Sequence, residues 1–502
     1  MITGTPVNVL DLGAVADGNG VGGGTDCSAA IQAAIDAIVN SGVKGTVYIP
    51  SGTYRCDSGL TLDLSICSLK GEGSTLDFTN MTAASGGTYA ELTANGFIGP
   101  ATSGVALTVI SGADGYAGGA YYENTNKVTG IRLKGKQGVS EGGTPPAPPN
   151  DQVGIYFYSP VGHTSINGAF ENCVVSQFYT GVVFGQNEFG VTFRSCTLIF
   201  NGTAVIMPQV NNAGEKNVFE SCTVYNNVNG FALNNAFATT RIINCSIGGS
   251  SELYIEIANG DLNVIGCHFE GNFAPDYPTA IVLWNPNTSF PNYSFITWVG
   301  NTVLAKSAHT YPLIYLEGAF EFAGYGGFIE NSYVGSAAAF GGNGVGTFVC
   351  DGISVNRGTI PFESFGTSVT KRYYDIYNSN NVGNYISNST YTPTLTGVSN
   401  ITTVAAPEGL LYQKVNNVVT VWGYMAIDPA AAAGTATEFT ISLPYASALT
   451  LNSDCSGTLT AWNASQVGAV HADVAGDKAT VTFNCSDASS QNYSINFTYI
   501  VK

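Results

Sequence analysis

The chain has 502 residues, more than one ordinary globular core of about 100–200 residues holds, so it is multi-domain or elongated. Charged residues make up 10%, against roughly 25% in a typical soluble domain, and the net charge is −18; so few Lys and Arg argue against nucleic-acid binding. Hydrophobic residues at 44%, with 62 Gly, 27 Tyr and 26 Phe, exclude disorder and describe short strands and tight turns.

At the N-terminus, Met1–Pro6 lacks a basic stretch followed by an apolar run, so no secretory leader is expected. No segment reaches the about 18–20 apolar residues of a membrane span, and no membrane association is expected. Thr25 or Asp26 then caps a helix over 28–40 whose Ile31, Ile35 and Ile38 share one face, with Gly42 past its end. A strand, a Pro50-Ser51-Gly52 turn and a second strand follow.

These first elements resemble the N-terminal end of pectate-lyase-like right-handed β-helix proteins, many of them phage tailspikes. The resemblance rests on Asp11-Leu12-Gly13-Ala14, Thr25-Asp26, Ala30-Ile31-Gln32 and Pro50-Ser51-Gly52-Thr53-Tyr54, with Leu12 in place of the usual Phe. It implies an all-β fold, a right-handed parallel β-helix closed by the N-terminal helix.

The middle of the chain supports the same architecture independently. Five segments align on Cys173, Cys196, Cys222, Cys245 and Cys267, spaced by 22–26 residues, one coil of a β-solenoid each. Weaker copies centre on Asn301 and Asn331. Each cysteine and the apolar residue two further on (Val175, Leu198, Val224, Ile247, Phe269) should point inward together, stacking the thiols about 4.8 Å apart. Eleven cysteines is an odd number with no Cys-x-x-Cys pair, so these read as reduced core residues. The four histidines are scattered; no metal site and no cofactor are expected. Glu171, Arg194 and Glu220, each two before a cysteine, suggest a surface ion ladder.

The proline-bearing stretch 134–152 is an irregular excursion. Regular coils are expected over about 40–335, and 336–385, rich in Gly and aromatics, is expected to close the solenoid. Beyond it, alternating strands argue an antiparallel β-sandwich. The domains expected are 1–110 (cap and first coils), 111–385 (β-helix body with an irregular end) and 386–502 (sandwich). Residues Tyr412–Val421 resemble a terminal module of phage tail fibres, which implies trimerisation or glycan contact.

The sharpest local cluster is Cys267-His268-Phe269-Glu270-Gly271-Asn272. With Cys267 and Phe269 inward, His268 and Glu270 face solvent beside the small residues Ser246, Gly248, Gly249 and Ser250, a depression fit for a sugar. Glycoside hydrolysis needs one protonated and one ionised carboxyl. Glu270 is the candidate general acid, with Asp276, Glu256 or Asp261 as the second carboxylate and His268 as base or orienting group. Tyr225, Tyr254, Tyr277 and Trp284, and also Trp298, could stack on sugar faces. Glu317, Glu321, Glu330 and Asp351 are reserve acids. Each has a structural alternative: turn carboxylates satisfy backbone, and aromatic residues in solenoids fill the core.

The resemblance implies a phage tailspike endoglycosidase that depolymerises bacterial capsule or O-antigen. It would work as a homotrimer in the virion tail, joined to the tail or another tail protein. A polysaccharide lyase is the alternative, disfavoured by the shortage of cations that neutralise a uronate. A non-enzymatic receptor-binding fibre has the same fold, and a secreted pectinase fits the tail-like C-terminus poorly.

Overall fold

The computed structural model describes residues 6–110, 126–136, 151–158, 168–186, 188–208, 216–249, 253–271, 281–284, 294–305, 309–330, 337–356, 362–366, 368–374, 377–378, 381–384, 389–406, 408–415, 417–431, 434–462, 466–485 and 488–501. Two compact units divide the chain, Met1–Val382 and Gly383–Lys502.

The first unit is a right-handed parallel β-helix with three faces. Each coil lays one strand on each face, as Thr180–Phe184, Thr192–Arg194 and Thr197–Ile199 do on the first, second and third. The next coil repeats them in register as Thr203–Met207, Asn217–Glu220 and Thr223–Tyr225. In one later coil a single strand, Ile255–Ile265, serves two faces, pairing with Ile281–Trp284 and then with Ser294–Val299.

The corner between the second and third faces explains the cysteine repeat. Asn172, Ser195, Ser221 and Asn244 stand just before a cysteine with φ of 53, 52, 55 and 53°. Gly266, Gly300, Gly326 and Gly352 take over this left-handed position in later coils. One residue of that hand turns the chain sharply, and Asn or Gly adopts it at least cost. The cysteine that follows is aimed at the coil below, and its thiol donates to a backbone carbonyl there. Cys196 reaches Phe170 at 3.3 Å, Cys222 reaches Phe193 at 3.4 Å and Cys245 reaches Phe219 at 3.4 Å. All eleven thiols are free and buried. Burial holds those of Cys56 and Cys350 well above the usual thiol range, so they stay protonated.

Deeper in the core, Phe170, Phe193 and Phe219 stack with ring centroids 5.0 and 5.1 Å apart, one ring per coil. Outside, Arg194 bridges Glu171 at 3.4 Å and Glu220 at 2.8 Å, and Lys127 meets Glu171 at 2.8 Å, the ladder expected.

The helix Ser28–Ser41 buries Ile31, Ala34, Ile35 and Ile38 at the N-terminal end of the core, and Gly42 (φ 68°) ends it. Cys27 occupies its cap position in place of Thr25 or Asp26. Asp26 instead accepts from Ser28 and from the Asp57 amide, tying the helix to the second coil. At the far end the coils outlast their sequence signal. Parallel pairing continues past residue 335 through Phe340–Gly342, Val345–Asp351 and Ser354–Asn356 to Tyr377–Asn378. The repeat fades there because Gly327 and Ile353 replace the marker cysteine, while the left-handed bend before them persists.

The second unit is a 10-stranded antiparallel sheet around a core that includes Val421, Met425, Phe439, Leu459, Val481 and Phe497. A bend at Asn400 (φ 52°) carries the chain from pairing with Ala436–Ser442 to pairing with Val418–Pro429. The bend thus joins two strands that lie far apart in the strand order of the one sheet.

Candidate active site

All three outer faces of one coil carry acids expected for chemistry. On the third face, strand His268–Gly271 buries Phe269 and turns His268 and Glu270 outward, with Nε2 and Oε2 3.5 Å apart. Glu270 stands in register with Gly248 on one side and Leu304 on the other, and Leu304 with Glu330. Glu330 accepts from Asn356 Nδ2 at 2.7 Å. The depression expected over Gly248 and Gly249 is filled. A Cβ at Gly248 would lie 2.5 Å from Cε2 of Tyr225, and one at Gly249 2.9 Å from its Cε1. The half-buried Tyr225 ring is therefore part of this surface, beside Glu270.

Tyr254 takes a different role from the one expected. It is 1% exposed, and its hydroxyl donates to the Glu270 carbonyl at 3.1 Å, fixing the strand from within. A ring enclosed in this way has no face for a sugar. Trp298 is equally internal, stacked on Phe269 at 5.2 Å. Asp276 and Tyr277 lie outside the described residues. Trp284 is described by its backbone, in register with Glu317.

Glu256 and Asp261 stand on the other two faces. Glu256, between the buried Ile255 and Ile257, projects from the first face, and Asp261 from the second, where the Phe295 amide lies against it. The solenoid core separates both from Glu270, so neither completes a carboxylate pair with it.

The first face is covered, and that changes its chemistry. The helix Thr88–Ala94, whose Tyr89 amide donates to Asp151 at 3.1 Å, presses Leu92 against the sheet, and Phe97 follows it. Beneath them Tyr156 and Val183 point outward from strands buried along their whole length. Where this cover ends, Tyr89, Phe97, Met207, Pro208, Asn234 and Glu256 line a cavity of about 310 Å³. Burial pushes the Glu256 carboxyl above the ordinary carboxylate range. Two coils further on, Tyr315 and Glu317 project from the same face; burial, and then Glu317, raises the Tyr315 hydroxyl.

Glu188, in the turn after Thr180–Phe184, was not anticipated. It is fully buried, neither carboxyl oxygen has a hydrogen-bond partner among the described residues, and burial holds it well above the ordinary range. Its charge would bear on Tyr156, whose hydroxyl is raised by burial first and by Glu188 second. The signal for the covered face lay in VGIYF and GVVF, unbroken apolar runs that a half-exposed strand does not have. Among the described residues, no three His, Cys, Asp or Glu side chains come together to hold a metal ion.

Residues 6–232 match the family model described as rhamnogalacturonase A/epimerase, pectate lyase-like. No curated protein matches the chain. Among solved structures, the tailspike gp42 of Acinetobacter phage vb_AbaP_AS12 is similar at 12% identity and TM-score 0.51, over 88% of this chain and 81% of that one. The Dettilon tailspike protein gp208 aligns at 12% identity and TM-score 0.45, over 98% and 94%. The catalytic unit of a GH87 alpha-1,3-glucanase from Streptomyces thermodiastaticus aligns at 14% and TM-score 0.43, over 75% and 70%.

Proposed function

We propose that this chain is a bacteriophage tailspike that cuts a bacterial surface polysaccharide by endo-glycosidic hydrolysis. It acts outside the host cell as a homotrimer held by the phage tail. The observation that carries the reading is Glu256, a carboxyl of raised proton affinity lining a cavity between aromatic and amide side chains. A general acid must keep its proton more tightly than an ordinary carboxyl and stand beside a space for the leaving sugar; the upward shift of Glu256 and the cavity beside it support that role.

The second carboxylate is Glu317. Two coil steps of about 4.8 Å and two residues of about 3.3 Å along the strand place its Cα about 12 Å from that of Glu256. Side chains inclined toward each other bring the carboxyls into the about 6.5–9.5 Å range of an inverting pair, with room for a water between. In that arrangement Glu256 gives its proton to the glycosidic oxygen while Glu317 takes one from the attacking water.

A second location is supported by the third face. Glu270 and Glu330 are directly in register two coils apart, about 10 Å, with His268 and Tyr225 beside them. Purified capsule and O-antigen polysaccharides, incubated with the chain, test the reaction. New reducing ends without ultraviolet absorbance at about 235 nm support hydrolysis. Absorbing products mean elimination, and no cleavage of any polysaccharide leaves a receptor-binding fibre. Sedimentation as a stable monomer would remove the trimer.

A further inference from the structure

The outer face of the C-terminal sheet has a chemistry of its own. Val419, Val421, Met425 and Ile427 are buried, so strand Val418–Pro429 turns Thr420, Trp422 and Tyr424 outward. In register beside them stand Thr498, Asn496 and Ser494, and beyond those Ser456, Thr458 and Thr460. On a chain of net charge −18, this block holds no charged side chain.

Trp462 closes the row. It is 58% exposed, yet its Nε1–H donates to Ser494 Oγ at 2.8 Å and its ring centre lies 5.4 Å from that of Tyr424, tilted by 45°. An exposed indole already held on two sides gives up little further freedom when something stacks on it.

We propose that this face binds a pyranose glycan, with a sugar's C–H face against Trp462 and Tyr424. The sugar's hydroxyls would bond to Thr458, Thr460, Ser494 and Asn496. Two held rings in a frame of hydroxyls and amides suit a sugar, which is apolar on its faces and hydroxylated at its rim. A second protein would need about 800 Å² on each side with an apolar centre. Within the block the apolar side chains are the aromatic rings; the exposed Leu411, Val418, Ile500 and Val467 stand at its edges, and polar groups fill the remainder. The inference stands apart from the solenoid's chemistry, since it concerns retention of the polymer and not its cleavage.

The full-length chain is tested for retention on immobilised capsule and O-antigen polysaccharides. Trp462→Ala should weaken binding to at least one of them by about tenfold or more. Trp462→Phe should keep most of the affinity, and cleavage of short oligosaccharides should not change. Tyr424→Ala is the second variant, should Trp462→Ala fail to fold by circular dichroism. Binding of every polysaccharide at the wild-type level by the variants overturns the proposal, as does a wild-type chain that none of them retains. A changed sedimenting mass with unchanged retention assigns the face to a second copy of this chain and overturns it too.

Discussion

Glu256 and Glu270 belong to the same coil and to the same type of outward position, yet they meet opposite surroundings. On the third face Glu270 shares water with His268 at 3.5 Å. On the first face a helix and its following loop cover the strands, and Glu256 at the edge of that cover holds its proton more tightly. A repeat gives every coil the same backbone, so the difference comes from what is laid over it. In a solenoid, an excursion between coils can set a side chain's protonation without altering the coil that bears it.

The largest expected effect separates the two faces directly. Glu256→Gln should lower turnover by a factor on the order of 10²–10⁴ while polysaccharide binding persists. Glu270→Gln should cost less than about tenfold. Reducing-end assays on both variants that give the reverse order would move catalysis to the third face. The wild-type rate should also fall as pH rises through the raised pKa of Glu256, because the general acid is then lost; a rate that climbs over the same span contradicts its role.

Glu188 gives an intermediate effect, read as stability. Its folded pKa is raised by burial, so folded and unfolded chains are both protonated below the ordinary carboxylate range. As pH rises above that range the unfolded chain loses the proton first, and stability falls until the folded pKa is passed. Glu188→Met should therefore raise the melting temperature by about 2–4 °C at pH 8 and leave it nearly unchanged at pH 4. An equal shift at both pH values would mean that packing, and not ionisation, governs the site. The smallest effect belongs to the open second face. Arg194→Ala breaks two exposed ion pairs and should leave the midpoint of denaturant unfolding nearly unchanged.

Much of this fold was legible because a coil repeats its corner. Cys173 to Cys267 mark where the chain turns, and Val175 to Phe269 mark the inward strand positions. The later coils were lost to view when glycines and Ile353 replaced the marker, although the bend stayed. The site was less legible. His268 and Glu270 were correctly placed outward by alternation, but alternation within one strand says nothing about which face of the coil Glu256 or Asp261 joins. That depends on the bend of the Ile255–Ile265 strand at Gly260 (φ 97°), and a single glycine inside the run does not say which face follows it. Glu188 lies in a turn outside the repeat, and its burial is imposed by the neighbouring coil.

The column of thiols carries a consequence for how the solenoid ages. While the coils are closed, each sulfur of the column is buried and bonded to a strand carbonyl of the coil below it. Once they open, the nine thiols of the solenoid unit reach air or a neighbouring chain, and their random coupling blocks the way back. Heating in air should leave cross-linked material on a non-reducing gel, and heating with a reductant should leave chain that can refold. Where nothing re-reduces a disulfide, durability is then a matter of how slowly the coils first open.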